Sequence, residues 1–184
     1  MPKRPFNSIT RCALALALTL TLSLLAGGGA WAQSVLRTQG LWLDDRAQPF
    51  DMASLEGGST VLTMAYGACR RICSTSLRIM ENVQALADQR HVALRFVVVG
   101  LDPSQDKPAD WAAFRTERKL ERPNWYFLSG DEAATRRFAN RLGVHYWRYG
   151  EHTVHDFKIV LLSPDGKMLR SIETFDDKLA LLLP

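Results

Sequence analysis

The sequence predicts an α/β domain built on a largely parallel sheet that ends in an antiparallel hairpin. Two observations carry that expectation. Short apolar, β-rich runs alternate with stretches of helical period, and alternation of this kind implies right-handed crossovers between parallel strands. The last two runs are instead joined by Ser163-Pro164-Asp165-Gly166, with proline at the second position of a turn and glycine at the last, so the chain there reverses. No internal repeat or low-complexity tract interrupts residues 40–184, which read as one domain.

The first 32 residues stand apart. Lys3, Arg4 and Arg11 precede an apolar stretch from Cys12 to Leu25, and Ala30-Trp31-Ala32 has the small-x-small pattern of a cleavage site. This predicts a secretory signal peptide cut after Ala32 and a periplasmic protein. An uncleaved anchor, the only route to the membrane, is disfavoured because the apolar stretch is shorter than the ~20 residues of a spanning helix. Residues 33–39 are then expected to be a flexible tail.

From residue 40 the elements follow in order. Leu41 to Leu43 and Gln48 to Met52 flank Asp44-Asp45-Arg46, suggesting a short N-terminal hairpin. Val61 to Tyr66 is a continuous apolar run, as expected of a strand covered on both faces. Leu77, Met80, Val83, Leu86 and Ala87 keep the helical period, giving a helix from Ser74 or Thr75 to about Gln89. Val92 to Val99 reads as a central strand. Pro108 suits the first turn of a helix over 109–118, and Trp125 to Leu128 is a third strand. Ser129 or Asp131 can cap a helix that Gly143 stops. Phe157 to Leu162 and Lys167 to Ile172 form the final hairpin, and Asp176 to Leu183 a closing helix. This is the plan of a thioredoxin-like mixed sheet flanked by helices, with an N-terminal hairpin and an inserted helix/strand segment.

Composition removes several function classes. The chain has 184 residues, 47% of them hydrophobic and 23% charged, enough apolar content for a core and too much for disorder. The pI of about 9.1 reflects the leader: without its three basic residues the chain carries 20 basic against 19 acidic side chains, so no case for nucleic-acid binding remains. Three cysteines are too few for a disulfide scaffold, and export would leave two, Cys69 and Cys73.

Those two lie between the first strand and the following helix, where parallel sheets place ligands and reactive groups. Cys69-Arg70-Arg71-Ile72-Cys73 puts both sulfurs on one side of a helix start. The partial positive charge there, with Arg70 and Arg71, favours thiolate over thiol. Two such sulfurs can form a disulfide or chelate a soft metal, Cu(I) or Zn(II). A disulfide that merely staples the loop would close a ring too small to stabilise much. Among the four histidines, His91, His145 and His152 read as surface residues. His155 is expected to start the strand running beside the cysteine-bearing strand, where it can face the cysteine loop.

With these landmarks in place, the sequence resembles the Sco/SenC family, thioredoxin-like proteins that handle copper for cytochrome c oxidase assembly. The resemblance covers about residues 40–175. It rests on the C-x-x-x-C after an apolar strand, on Leu101-Asp102-Pro103-Ser104-Gln105-Asp106 in place of a V-D-P-x-x-D loop, and on His155 nine residues before Pro164 of the P-D-G turn. It implies that Cys69, Cys73 and His155 bind copper, as Cu(I) or Cu(II), with Asp102 and Asp106 in a loop near the site. The implied partner is the copper-bearing subunit of an oxidase or another copper or thiol carrier. The sequence departs from the family where Arg70 and Ser74 replace prolines after the cysteines and Val154 replaces a common aspartate. Two other readings stand beside the copper chaperone. One is a thiol-disulfide oxidoreductase in which Cys69 and Cys73 form the redox-active pair, and the other is an interaction module that has lost its metal.

Overall fold

The computed structural model describes residues 34–67, 72–175 and 178–184, with side chains of the second stretch from Thr75 onward. The predicted leader, residues 1–32, lies outside the described residues. Residues Ser34–Pro184 form one compact unit. Among the described residues no helix is long and apolar enough to cross a membrane.

The centre is a six-stranded sheet made of β1 (Trp42–Asp44), β2 (Thr60–Ala65), β3 (Arg95–Gly100), β4 (Trp125–Gly130), β7 (Ile159–Leu162) and β8 (Met168–Ile172), in the order β1-β4-β3-β2-β7-β8. Strands β2, β3 and β4 are parallel, whereas β1, β7 and β8 join antiparallel to their neighbours. Every residue of β2 is buried, as its unbroken apolar run demands of a strand covered on both faces. The two-residue alternation divides the core. Val61, Phe96, Val98 and Phe127 point to the side of α1 (Ile72–Gln89) and α2 (Pro108–Glu117). Leu62, Val97, Val99 and Leu128 point to the side of α3 (Glu132–Leu142) and the N-terminal segment.

The helices begin and end where their sequences permit. In α1, Leu77, Met80, Val83 and Ala87 are buried on one face. Gln84 accepts from Trp125 Nε1 at 3.1 Å and Asn124 Nδ2 at 2.7 Å, tying the helix to the start of β4. Pro108 opens α2, and Asp110 accepts the Lys107 N–H. Asp131 caps α3 by accepting from Ala134 N–H at 2.8 Å, and Gly143, at φ +66°, closes it.

Several expectations need correction. Residues 34–39 are packed: Val35–Arg37 is a 3-10 turn with Val35 and Leu36 buried, pinned by Val35 N–H donating to Gly166 O at 2.8 Å. The second arm of the N-terminal hairpin reduces to one bridge, Leu43 to Pro49, because proline offers no N–H and Asp51 caps a 3-10 turn at Met52–Leu55. β3 begins at Arg95 since His91, at φ +54°, and Val92 are used to close α1. The closing element is a 3-10 turn, Leu179–Leu182, and Asp176 and Asp177 lie outside the described residues.

The inserted segment between α3 and β7 is a separate two-stranded hairpin, β5 (Tyr146–Tyr149) and β6 (His152–His155). Its loop is Gly150-Glu151, and Gly150 supplies the positive φ, +59°, that so tight a reversal needs. His155 therefore ends β6; it does not begin the core strand, which starts four residues later at Ile159.

Candidate metal centre

The predicted ligands map unevenly onto the structure. Cys69 lies outside the described residues. The helix α1 starts at Ile72, at least two residues before the expected Ser74 or Thr75, so Cys73 is its second residue and its backbone belongs to the first turn at the positive end of the helix dipole. β2 and β7 are antiparallel, with Thr63 opposite Ile159 and Thr63 Oγ1 donating to Lys158 O at 2.8 Å. The chain before β7 therefore runs at the same end of the sheet as the chain after β2. His155 belongs to the first of these stretches, and Gly67 is the last described residue of the second before Ile72.

His155 is 8% exposed. Its Nδ1 lies 2.8 Å from Asp156 O, a carbonyl that can only accept, so Nδ1 carries the hydrogen and Nε2 the lone pair. Burial pushes its pKa below the ordinary value, outweighing the pull of the Asp156 carbonyl and carboxylate. The ring is thus held in the neutral tautomer that can ligate a metal through Nε2. Asp156 fixes the hairpin base: it accepts from His145 N–H at 2.9 Å and donates its own N–H to His145 O at 3.0 Å. The His145 backbone and ring hold its carboxyl below the usual carboxylate range.

Asp102 and Asp106 build the adjoining loop. Asp106 is buried, accepts from Gly67 N–H and from Asp102 N–H at 2.8 Å each, and receives Ser129 Oγ on its carbonyl at 2.6 Å. Burial raises its pKa to about 6 against those N–H bonds. Gly67 is the last described residue before the cysteines, so Asp106 anchors the point at which the cysteine segment leaves β2. Asp102 faces the hairpin. Burial pushes its carboxyl up, but donors from Ser104, the Arg148 charge and Thr153 Oγ1 outweigh burial and hold it below the usual range. Arg148 Nη1 is 3.7 Å from Asp102 Oδ2, and Thr153 Oγ1 donates to the same oxygen at 3.3 Å. Tyr66, directly after β2, shares its one hydroxyl hydrogen between Gln105 Oε1 at 2.9 Å and Glu151 O at 3.4 Å. Burial raises its pKa.

Both aspartates are thus engaged with their own chain as loop and hairpin anchors. Tyr66, Gln105, Arg148 and Thr153 are the residues that sequence reasoning missed. The alternation of residues 146–155 around a glycine signals a hairpin, but no local pattern reports that Arg148 meets an aspartate 46 positions earlier. Among the described residues no group of three or more His, Cys, Asp or Glu side chains is arranged to hold a metal ion.

A family model described as SCO1/SenC matches residues 40–182. The SCO1 protein homolog of Bacillus subtilis is 26% identical over 125 residues, covering 65% of this chain and 64% of the relative; the chain spans just under two thirds of the length of curated relatives it matches. The fold also resembles that of Arabidopsis thaliana ScoI with copper bound, with TM-score 0.69, 18% identity, and 78% and 90% of the two chains covered. It likewise resembles BsSco, a member of the Sco family of cytochrome c oxidase assembly proteins in which a disulfide switch is described, with TM-score 0.67, 20% identity, and 81% and 88% covered. The fold is thioredoxin-like, as the element order predicts, and the chain belongs to the SCO1/SenC family.

Proposed function

We propose that the protein is an exported copper carrier that holds copper at Cys69, Cys73 and His155 and passes it to the copper centre of a cytochrome oxidase. The observation that carries this reading is His155: a buried, neutral imidazole with Nδ1 satisfied by its own backbone and Nε2 bearing the lone pair, set at the end of the sheet where the cysteine segment leaves β2. Membership of a family with copper-bound relatives supports it. Two thiolates and one imidazole suit Cu(I) in a three-coordinate site and also accept Cu(II). Copper here is cargo, so the site has to release it by ligand exchange with a partner. The leader-like residues 1–32 support delivery to the periplasm, with the oxidase subunit or another copper or thiol carrier as recipient.

The test is an anaerobic Cu(I) titration of the reduced protein against a competing chelator. One-to-one binding that weakens in Cys69→Ser, Cys73→Ser and His155→Ala is the expected result. An intact protein that binds no copper refutes the proposal.

A second reading is favoured by the helix start at Cys73 and by the disulfide switch of BsSco. In it one thiolate of the pair attacks a partner disulfide, forming a mixed disulfide and expelling a partner thiolate. The other cysteine then displaces the second partner sulfur, leaving the partner as dithiol and Cys69–Cys73 as disulfide. His155→Ala separates the readings: it should abolish tight copper binding and leave dithiol exchange largely intact.

A further inference from the structure

The β5–β6 hairpin has two unlike faces. Cross-strand partners share a face, so Tyr146 and His155, with Arg148 and Thr153, form one side, while Trp147 and Val154, with Tyr149 and His152, form the other. The second face is open, with Trp147 and Tyr149 52% and 75% exposed. The first is turned to the protein: Tyr146 packs against the core, Arg148 and Thr153 meet Asp102, and Tyr66 reaches the turn at Glu151 O. Neither strand is hydrogen-bonded into the six-stranded sheet.

The arm that carries His155 is thus held to the body by Tyr146 at its base and by a short row of polar contacts toward its tip. We infer that Tyr66, Thr153 and Arg148, closing on Asp102 and Glu151 O, form a latch that gates metal exchange by setting how often the hairpin, and His155 with it, lifts from the site. They are positioning residues, acting through His155. The inference rests on the copper reading above, and it makes a specific kinetic claim. The latch stabilises the closed hairpin equally with and without metal, so weakening it leaves affinity nearly unchanged while the hairpin stays mostly closed. Entry and release of the metal both become faster, because both pass through the open form.

The charge-neutral double variant Tyr66→Phe/Thr153→Val removes two latch hydroxyls and keeps the aromatic ring and the β-branched shape. In the metal-free full chain, amide hydrogen exchange of residues 146–155 should speed up about tenfold, the worth of one or two ordinary hydrogen bonds, while the amides of β2 and β3 stay as protected as before. In the Cu(I)-loaded chain, transfer to excess chelator should quicken by a similar factor at an affinity within about twofold of the parent. Unchanged hairpin exchange overturns the latch. Faster hairpin exchange with an unchanged transfer rate overturns the gate, and so does an affinity that falls tenfold, since that would place the hydroxyls in the metal site itself. Failure of the parent chain to take up copper refutes the metal reading, and is seen before any variant is compared.

Discussion

Asp106 gives the sharpest quantitative expectation. Its carboxylate is buried where Gly67 and Asp102 donate to it, and burial still lifts its pKa from 3.8 to about 6. A difference of about 2 pK units corresponds to about 3 kcal/mol of linkage between ionisation and folding, at 1.36 kcal/mol per unit. The sign follows from proton counts. Between pH 4 and 6 the folded protein keeps a proton that the unfolded chain has lost, so this stabilising contribution is complete below pH 4. It disappears as pH rises through 6. Asp106→Asn removes the ionisation and sets an amide nitrogen against one of the N–H donors, a fixed cost at every pH. The assay is urea unfolding followed by tryptophan fluorescence, for parent and variant, at half-unit steps from pH 4 to 7.5. Other titrating groups cancel in the difference between the two proteins. The stability advantage of the parent should shrink by up to about 3 kcal/mol across that range, most of it between pH 4 and 6. A difference that is flat or grows with pH would show that Asp106 is not a desolvated carboxyl, and the account of how the cysteine segment is anchored would fail with it.

Three further outcomes follow from packing. Gly100→Ala places a Cβ 2.6 Å from Asp106 Cβ, so it should cost about 1–3 kcal/mol in urea unfolding and lower the protection of the Gly67 amide in hydrogen exchange. Phe138→Ala empties a fully buried site where the ring meets Trp42 edge-on at 5.4 Å, and should lose about 3–5 kcal/mol in thermal or urea unfolding. Gln84→Leu strips the acceptor from Trp125 Nε1 and shortens the partner list of Asn124; a loss of about 1–3 kcal/mol with a changed Trp125 indole signal in NMR is expected, whereas full stability would mean that the buried indole N–H has found another acceptor.

The sheet was legible because its strands say twice what they are. Val61 to Tyr66 and Phe96 to Val99 are nearly continuous apolar runs, as expected of strands covered on both faces, and each is followed by a helix that dictates a parallel return. Asp131, Gly143 and Ser163 to Gly166 mark boundaries through their own backbone chemistry, and the structure keeps all three. The errors arise where the deciding partner is remote. Val35 and Leu36 look like a tail until Gly166 O accepts from Val35 N–H 131 residues away. Val92 looks like a strand residue until its N–H is taken by Ala87 O to close the helix.

His155 shows the same division within the site. The expected place at the start of the core strand is four residues off, because the element that presents it is a hairpin, and an element outside the main sheet has to be held by something else. The restraint comes from single polar contacts whose members are scattered at Tyr66, Asp102, Arg148 and Thr153. No periodicity connects such residues, so the sequence can nominate a candidate ligand without saying how it is kept in place. The copper carriage proposed above would give such a construction a purpose. A histidine fixed within a core strand would hold a metal rigidly, whereas on the proposed latch a buried, neutral imidazole would be combined with a motion small enough to be set by two hydroxyls and one ion pair.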